Sequence, residues 1–149
     1  MIVRDSPLLL PVQVCWTPYL AAFSVAMRDS DEPEVVSTCL DAFRCAIRVA
    51  CIFGLTVSSR IIKSELSFEV SLYKCMLCCV LQLERDAFIK TLANFTMLTT
   101  SVGLAEMRPK NIETIKTLCA VAYTDGNYLG NSWIDVSMYM YAYTCTCRW

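Results

Sequence analysis

The residues between positions 36 and 50 show the spacing that most limits how this chain can fold. Apolar side chains recur there at alternating steps of four and three, at Val36, Leu40, Phe43, Ile47 and Ala50. Because an α-helix completes a turn in about 3.6 residues, this spacing predicts one buried helix face. Asp41, Arg44 and Arg48 follow similar steps on another face, where we expect them to be solvated. Gly54 then predicts the end of the helix.

Capping and turn-forming residues predict three or four further helices. Thr17 before Pro18 is typical of a helix start, and the polar run at 29–34 separates that helix from the next one. The third, fourth and fifth helices are predicted to begin near Gln82, Pro109 and Trp133. Four or five antiparallel helices with short connections would form an all-α layered domain.

The third and fourth predicted helices have apolar faces of their own. The third is marked by Phe88, Leu92 and Phe95, and the fourth by Ile112, Ile115, Cys119 and Ala122. We expect Asp125-Gly126-Asn127 to end the fourth helix. Glu84, Asp86 and Glu113 could be imagined as an acid–base pair, but a solvated helix face accounts for all three.

Two segments do not follow the helical pattern. In the first, residues 55–80, apolar Leu66, Phe68, Val70 and Leu72 alternate with polar residues, which predicts a strand. Without this segment Gly54 would stand directly before Leu81, a connection suited to a helical hairpin. The second segment, after Ile134, shows no apolar helical stripe. We therefore predict that residues 55–80 are an insertion foreign to the fold.

Composition excludes several classes of function. The sequence contains no histidine, so no imidazole base, Ser-His-Asp triad or histidine metal ligand is possible in this chain. The net charge of −1 lacks the basic excess of a nucleic-acid-binding domain. The four glycines form no phosphate-binding loop pattern. We expect no catalytic residue, no cofactor and no nucleic-acid partner.

The ten cysteines raise the question of a metal site. Cys75-x-x-Cys78 and Cys145-x-Cys147 could in principle give four thiolates to a zinc ion. However, no turn-forming Gly or Pro frames either pair, so we expect reduced thiols and no metal.

The stretch from residue 6 to residue 27 is uncharged and long enough to span a bilayer. Three prolines and Gln13 interrupt it, and it is also a poor signal peptide. A membrane anchor is therefore an alternative that we disfavour.

Five collinear blocks of the sequence match a known family, at 15–25, 39–54, 83–88, 110–118 and 124–133. The last block ends in Asp125-Gly126-Asn127-Tyr128-Leu129-Gly130-Asn131-Ser132-Trp133. Together they resemble the large brefeldin A-inhibited guanine nucleotide exchange proteins of the Sec-seven family, which activate Arf GTPases. The resemblance is to the helical region directly after the catalytic exchange domain. It covers residues 15–54 and 82–133.

The resemblance implies an armadillo/HEAT-like helical solenoid. It also implies a cytoplasmic protein that is peripheral at the trans-Golgi network membrane and acts in vesicle-mediated transport. In that family the acidic catalytic residue lies in the exchange domain, and no equivalent motif occurs here. We therefore expect a non-catalytic regulatory or scaffold segment, with an Arf-family GTPase and other parts of the parent exchange factor as partners.

Five residues are candidates for a partner interface: Tyr128, Trp133, Arg44, Arg48 and Lys116. Exposed aromatic side chains are often anchors at interfaces, and the cations could contact an acidic partner or lipid. Helix capping and packing also account for the aromatic pair, and a solvated face accounts for the cations. An independent helical interaction module and a small membrane-anchored protein are the alternative functions.

Residues 1–14, 55–80 and 134–149 have no counterpart in the resemblance, and each begins abruptly at the edge of a matching block. We predict that they are translated intron sequence or the product of a faulty gene model, and that the chain is a fragment of a larger protein. Solenoid repeats depend on their neighbours for burial. We therefore expect the isolated chain to be marginally stable or aggregated.

Overall fold

The computed structural model describes residues 9–62, 68–98 and 107–146, with side chains for 15–54, 78–98, 107–141 and 144. These residues form five α-helices: α1 (Leu9–Asp29), α2 (Pro33–Ile62), α3 (Phe68–Phe95), α4 (Pro109–Asp125) and α5 (Trp133–Thr146). Two single-turn 3-10 helices, Gly126–Tyr128 and Gly130–Ser132, connect α4 to α5. The described residues contain no strand, which confirms the all-α prediction. The solenoid type stays a prediction.

The predicted face of α2 is the centre of the core. All five residues of the stripe are buried, which confirms that prediction. The Phe43 ring lies 5.7 Å from that of Phe23 in α1 and 5.9 Å from that of Phe88 in α3, measured between ring centroids. Leu118 and Val121 of α4 and Val136 of α5 belong to the same core. Asp41, Arg44 and Arg48 are exposed, as predicted.

Helix α4 begins at Pro109 and ends at Asp125, as the sequence predicts, but its buried face is different. Ile115 is buried, whereas Ile112 is exposed, and Asn111 and Thr114 are buried instead. The hydroxyl of Thr114 donates to the Lys110 carbonyl at 2.7 Å, and the Asn111 amide donates to the Phe95 carbonyl at 2.8 Å. Because these polar side chains are hydrogen-bonded, they can be buried at little cost.

One predicted boundary of each of the first three helices was wrong, because each helix extends beyond it: α1 at its start, α2 at its end and α3 at its start. Pro18 lies inside α1, and Gly54 lies inside α2. Proline and glycine in a helix interior cost roughly 3 and 1 kcal/mol. Trp16 and Leu20, on either side of Pro18, both pack against the core. Burial of neighbouring apolar surface therefore offsets the local cost.

The strand predicted between residues 66 and 72 was also wrong for the residues that the structure describes. Residues 68–72 belong to α3, which begins at Phe68 rather than near Gln82. Leu66 lies outside the described residues. An alternating pattern forms a strand only where another strand can bond to its backbone, and the described residues offer none. Residues 55–62 likewise continue α2, and α5 extends to Thr146 despite its missing stripe.

No helix in the described part of the chain is long and apolar enough to cross a membrane.

Candidate partner surfaces

A cluster around Arg85 holds the start of α5 against α3. The Arg85 guanidinium donates to Asp86 Oδ1 through Nε at 2.8 Å and through Nη2 at 2.6 Å. Its Nη1 donates to the carbonyl of Tyr128 at 2.8 Å, and the Ser132 hydroxyl donates to the same Asp86 oxygen. Arg85 and Ser132 are buried. These contacts fix the segment between α4 and α5, which carries both aromatic candidates.

Gly130 and the Arg85 guanidinium are close together in this cluster. Gly130 has a φ of +54°, in the left-handed region that favours glycine. A Cβ at this position would lie 3.3 Å from Arg85 Nη2. The glycine therefore gives the turn its backbone geometry and leaves space for the guanidinium.

Trp133 and Tyr128 are each about two-fifths exposed. The indole Nε1 of Trp133 donates to the Gly126 carbonyl at 2.6 Å, and its ring packs on Gly126. The backbone of Tyr128 is held by Arg85, while part of its ring faces solvent. Both residues therefore have a structural contact, and both leave aromatic surface that a partner could cover.

Two cavities lie in succession between α2 and α4, and together we call them the α2–α4 groove. One has a volume of about 470 Å³ and the other about 360 Å³, and Asp41 and Arg44 line both. The first reaches Pro109 at the start of α4, and the second reaches Asp125 at its end. The groove therefore follows the whole length of α4.

The groove brings together two of the three predicted cations. Arg44 and Arg48 lie one turn apart on α2 and both line the smaller cavity. Arg44 makes an exposed ion pair with Asp41 at 3.3 Å, whereas Arg48 makes no ion pair among the described residues. Lys116 lines neither cavity and pairs with Glu113 at 2.7 Å. Exposed pairs of this kind are weak, so Arg44 is available to a carboxylate on a partner.

The sequence interpretation missed a polar junction at the start of α4. Lys110 Nζ lies 2.8 Å from the Met27 carbonyl, 3.2 Å from the Ser30 carbonyl and 2.8 Å from Asp31 Oδ1. Hydrogen bonding by Lys110 is the largest of the effects that lower the pKa of Asp31. An amine at the last carbonyls of a helix satisfies groups that have no partner within the helix. Lys110 therefore joins α4 to the end of α1.

Glu84 was predicted to be solvated, and this was wrong. It is 1% exposed, and its Oε1 has no hydrogen-bond partner in the part of the chain that the structure describes. Burial raises the pKa of this carboxyl to about 7. Its position four residues before Phe88 and eight before Leu92 places it on the buried face. That spacing was a signal from which the burial could have been found.

Asp86 is half-buried and paired with Arg85, so the solvated interpretation was wrong for this residue too. Glu113 is exposed, as predicted. Among the residues that the structure describes, no group of three His, Cys, Asp or Glu side chains could hold a metal ion. The side chains of Cys75, Cys145 and Cys147 lie outside the described residues, and so does the zinc site that these cysteines would form with Cys78.

Comparison with known proteins relates the chain to nucleotide-exchange proteins. It is 49% identical over 124 residues to brefeldin A-inhibited guanine nucleotide-exchange protein 1 from Mus musculus, a match over 83% of the chain. It is 35% identical over 84% of its length to the ADP-ribosylation factor guanine nucleotide-exchange factor sec72 from Schizosaccharomyces pombe. Brefeldin A-inhibited guanine nucleotide-exchange protein 3 from Arabidopsis thaliana is 34% identical over 82% of the chain. No family model matches the chain, and no solved structure does.

These matches show that the sequence is that of a segment of a guanine nucleotide-exchange protein for ADP-ribosylation factors. Within that class it belongs to the brefeldin A-inhibited guanine nucleotide-exchange proteins. The resemblance of the five sequence blocks is confirmed. The chain spans about 5% of the length of the relatives described here.

Proposed function

We propose that this chain is a non-catalytic regulatory or scaffold segment of an Arf guanine nucleotide exchange factor. The observation that carries the proposal is the match itself, which covers 83% of the chain but 5% of the mouse relative. The resemblance to the region after the exchange domain leads us to assign nucleotide exchange to another part of such a protein. The segment would act in Arf activation, membrane recruitment and Golgi vesicle-mediated transport.

The partners that we propose are an activated Arf-family GTPase and other parts of the parent exchange factor. The α2–α4 groove supports this proposal because it offers Arg44 and Arg48 to acidic side chains along the length of α4. The exposed parts of Tyr128 and Trp133 offer a second surface. Cationic and aromatic side chains are the types most often found at the energetic centre of interfaces. The cellular site would be the cytoplasmic face of the trans-Golgi network.

The first experiment measures nucleotide exchange. The purified 149-residue chain is added to Arf loaded with a fluorescent GDP analogue, with the full-length mouse relative as positive control. We expect the chain alone to leave the rate of GDP release unchanged. Acceleration by the chain alone would contradict the non-catalytic assignment.

The second experiment measures binding of the chain to Arf in its GTP-bound and GDP-bound states by surface plasmon resonance. We expect binding to the GTP-bound state, weakened about tenfold by combining Arg44→Glu and Arg48→Glu. Lys90→Glu reverses an exposed charge on α3, outside the cavities of the groove, and is the matched control.

Equal affinity of the double variant and the wild type would show that the α2–α4 groove does not bind Arf. Absence of binding to either state of Arf would favour an independent interaction module. Retention of the chain on carbonate-washed membranes would favour the membrane-anchored alternative.

A further inference from the structure

A cavity of about 230 Å³ lies where α2, α3 and the segment between α4 and α5 meet, and we call it the Arg85 cavity. Among the described residues that line it, Arg85 is the only one with a charge. Arg85 is 8% exposed, whereas Gln82, Asn127 and Tyr128, which also line the cavity, are exposed. The cavity therefore has a buried cation on its inner wall and polar side chains at its mouth.

The guanidinium of Arg85 has hydrogens left to donate. An arginine carries five N–H groups, and three of these are taken by the two bonds to Asp86 and the bond to the Tyr128 carbonyl. One hydrogen on Nη1 and one on Nη2 have no acceptor among the residues that the structure describes. Because buried N–H groups are stabilised by an acceptor, these two hydrogens favour a ligand that carries oxygen atoms.

The edge of the guanidinium that carries these hydrogens faces Gly130. A Cβ on Gly130 would lie 3.3 Å from Nη2 of Arg85, 3.5 Å from Nη1 and 3.7 Å from the central carbon Cζ. Both Nη atoms are thus nearer to this position than Cζ is. Gly130 is exposed, lines the cavity and has no side chain to cover the edge. The two nitrogens are therefore accessible to a small ligand.

The charge of Arg85 is effective inside the cavity. Cys51 lines the cavity from α2, and burial raises the pKa of its thiol to about 11. The guanidinium of Arg85 opposes that rise, whereas the carboxylates of Asp125 and Asp86 add to it. Neither aspartate lines the cavity, so Asp86 pairs with Arg85 from outside it. A ligand in the cavity would consequently contact the cation and not the acids.

The single cation favours a carboxylate over a phosphate. A carboxylate carries one negative charge, and its two oxygens match two N–H groups of a guanidinium. A phosphate dianion would bring a second negative charge, for which the described lining offers no cation, and burying an uncompensated charge is unfavourable. The cavity has the volume of several water molecules of about 30 Å³ each, which admits a carboxylate and the methylene groups that carry it.

We propose that the Arg85 cavity binds the carboxylate of an aspartate or glutamate side chain on a peptide segment of a partner protein. The amides of Gln82 and Asn127 at the mouth can bond to the backbone of that peptide, and the ring of Tyr128 can pack on it. The inference goes beyond the proposed function and does not rest on it, because the cavity shares no lining residue with the α2–α4 groove.

The test follows the isotope-labelled full chain by NMR at constant ionic strength. The probes are acetate, inorganic phosphate and two blocked tripeptides, acetyl-Ala-Glu-Ala-amide and its counterpart with Gln in place of Glu. We expect a saturable shift of the Arg85 Nε–H resonance and of the backbone amides of residues 127–130. The Glu peptide should bind more tightly than acetate, because its backbone also contacts the mouth, and the Gln peptide should not saturate the site.

Two variants with the same change in net charge separate this site from a general electrostatic effect. Gln82→Glu places a negative charge at the mouth and should weaken binding of the Glu peptide about tenfold. Lys90→Gln, at an exposed position of α3 outside the cavity, should leave the affinity unchanged. Arg85→Met should abolish binding. Because Arg85 also supports the segment between α4 and α5, the variant at the exposed Gln82 keeps the test independent of folding.

Three results would overturn the proposal. They are equal binding of the Glu and Gln peptides, tighter binding of phosphate than of acetate, and an unchanged affinity of Gln82→Glu for the Glu peptide. Acetate that binds as tightly as the Glu peptide would overturn the assignment of the carboxylate to a peptide and identify a free acid as the ligand.

Discussion

The Nζ of Lys110, in the first turn of α4, lies 2.8 Å from the backbone carbonyl oxygen of Met27, in the last turns of α1. The side chain of Lys110 is only 11% exposed. We predict that Lys110→Met lowers the free energy of unfolding by about 1–3 kcal/mol, because it leaves buried carbonyls without a donor.

Urea denaturation followed by circular dichroism measures this change. Lys116→Met is the control, because Lys116 is exposed and, among the residues that the structure describes, pairs with Glu113 alone. We expect it to alter the free energy of unfolding by less than about 0.5 kcal/mol. Equal effects of the two substitutions would show that the contacts of Lys110 do not stabilise the junction.

Glu84 gives the stability of the protein a pH dependence. Its pKa in the folded state is about 7, above the ordinary value of 4.5, so the folded state favours the protonated form. The contribution of Glu84 to the free energy of unfolding is therefore fully present below pH 4.5 and is lost as the pH rises through 7. We predict that Glu84→Gln is more stable than the wild type at pH 8 by roughly 2–3 kcal/mol, with little difference at pH 4.

Thermal and urea melts across this pH range provide the measurement. Glu113→Gln is the matched control, since Glu113 is exposed and should not change the profile. A wild-type profile parallel to that of Glu84→Gln would mean that the Glu84 carboxyl is solvated.

Alanine is predicted to lower the free energy of unfolding at Gly126 and to raise it at Gly54. A Cβ on Gly126 would lie 2.8 Å from Cζ2 of Trp133, so the indole must shift, at a cost of about 1–3 kcal/mol. A Cβ on Gly54, in the interior of α2, meets no atom within 4 Å, and alanine there should add about 0.5–1 kcal/mol. Denaturant titration of both variants checks the pair. Stabilisation by Gly126→Ala would show that Trp133 does not pack on this glycine.

Arg85 is predicted to hold the segment between α4 and α5 in place. Arg85→Met removes the donors to Asp86 and to the Tyr128 carbonyl and should cost about 2–3 kcal/mol. The control is Arg28→Met, whose exposed pair with Asp29 spans 4.0 Å and contributes less than about 0.5 kcal/mol. Faster hydrogen exchange at residues 126–132 in the Arg85 variant alone is the specific readout. Unchanged hydrogen exchange at residues 126–132 would show that Arg85 does not hold this segment in place.

The outer face of α5 is predicted to cause self-association. Ile134, Met138 and Tyr141 lie on one side of the helix and are each more than half exposed. Combining Ile134→Lys with Met138→Glu should shift purified protein toward the monomer in sedimentation velocity without lowering its melting temperature. Val136→Glu, on the buried side of α5, should instead unfold the protein. A wild-type chain that is monomeric at high concentration would contradict the prediction.

The helices with a clear apolar period could be predicted from the sequence. The buried stripe of α2 was correct at every position, as were the break after α1 and both ends of α4. The backbone geometry of a helix fixes which residues share a face, so the pattern alone carries this information. The resemblance of the five blocks to the exchange proteins could also be recognised from the sequence, and it is confirmed.

The start of α1, the end of α2 and the start of α3 could not be predicted in this way. The prediction began the first helix at Pro18 and ended the second at Gly54, whereas α1 already begins at Leu9 and α2 continues to Ile62. Helix propensity includes the cost of a helix-breaking residue. It does not include the free energy gained when the neighbouring side chains are buried. A few kcal/mol from packing outweigh one proline or glycine.

The sequence by itself determined that this chain is all-α, which face of α2 is buried, and to which family it belongs. Only the tertiary structure decided the environments of single polar side chains. Lys110 joins the end of α1 to α4, and Arg85 holds the carbonyl of Tyr128. Periodicity assigns a residue to a helix face, whereas burial and hydrogen bonding depend on which other helix lies against that face. Residues as far apart as Met27 and Lys110 therefore find each other only in the packed molecule.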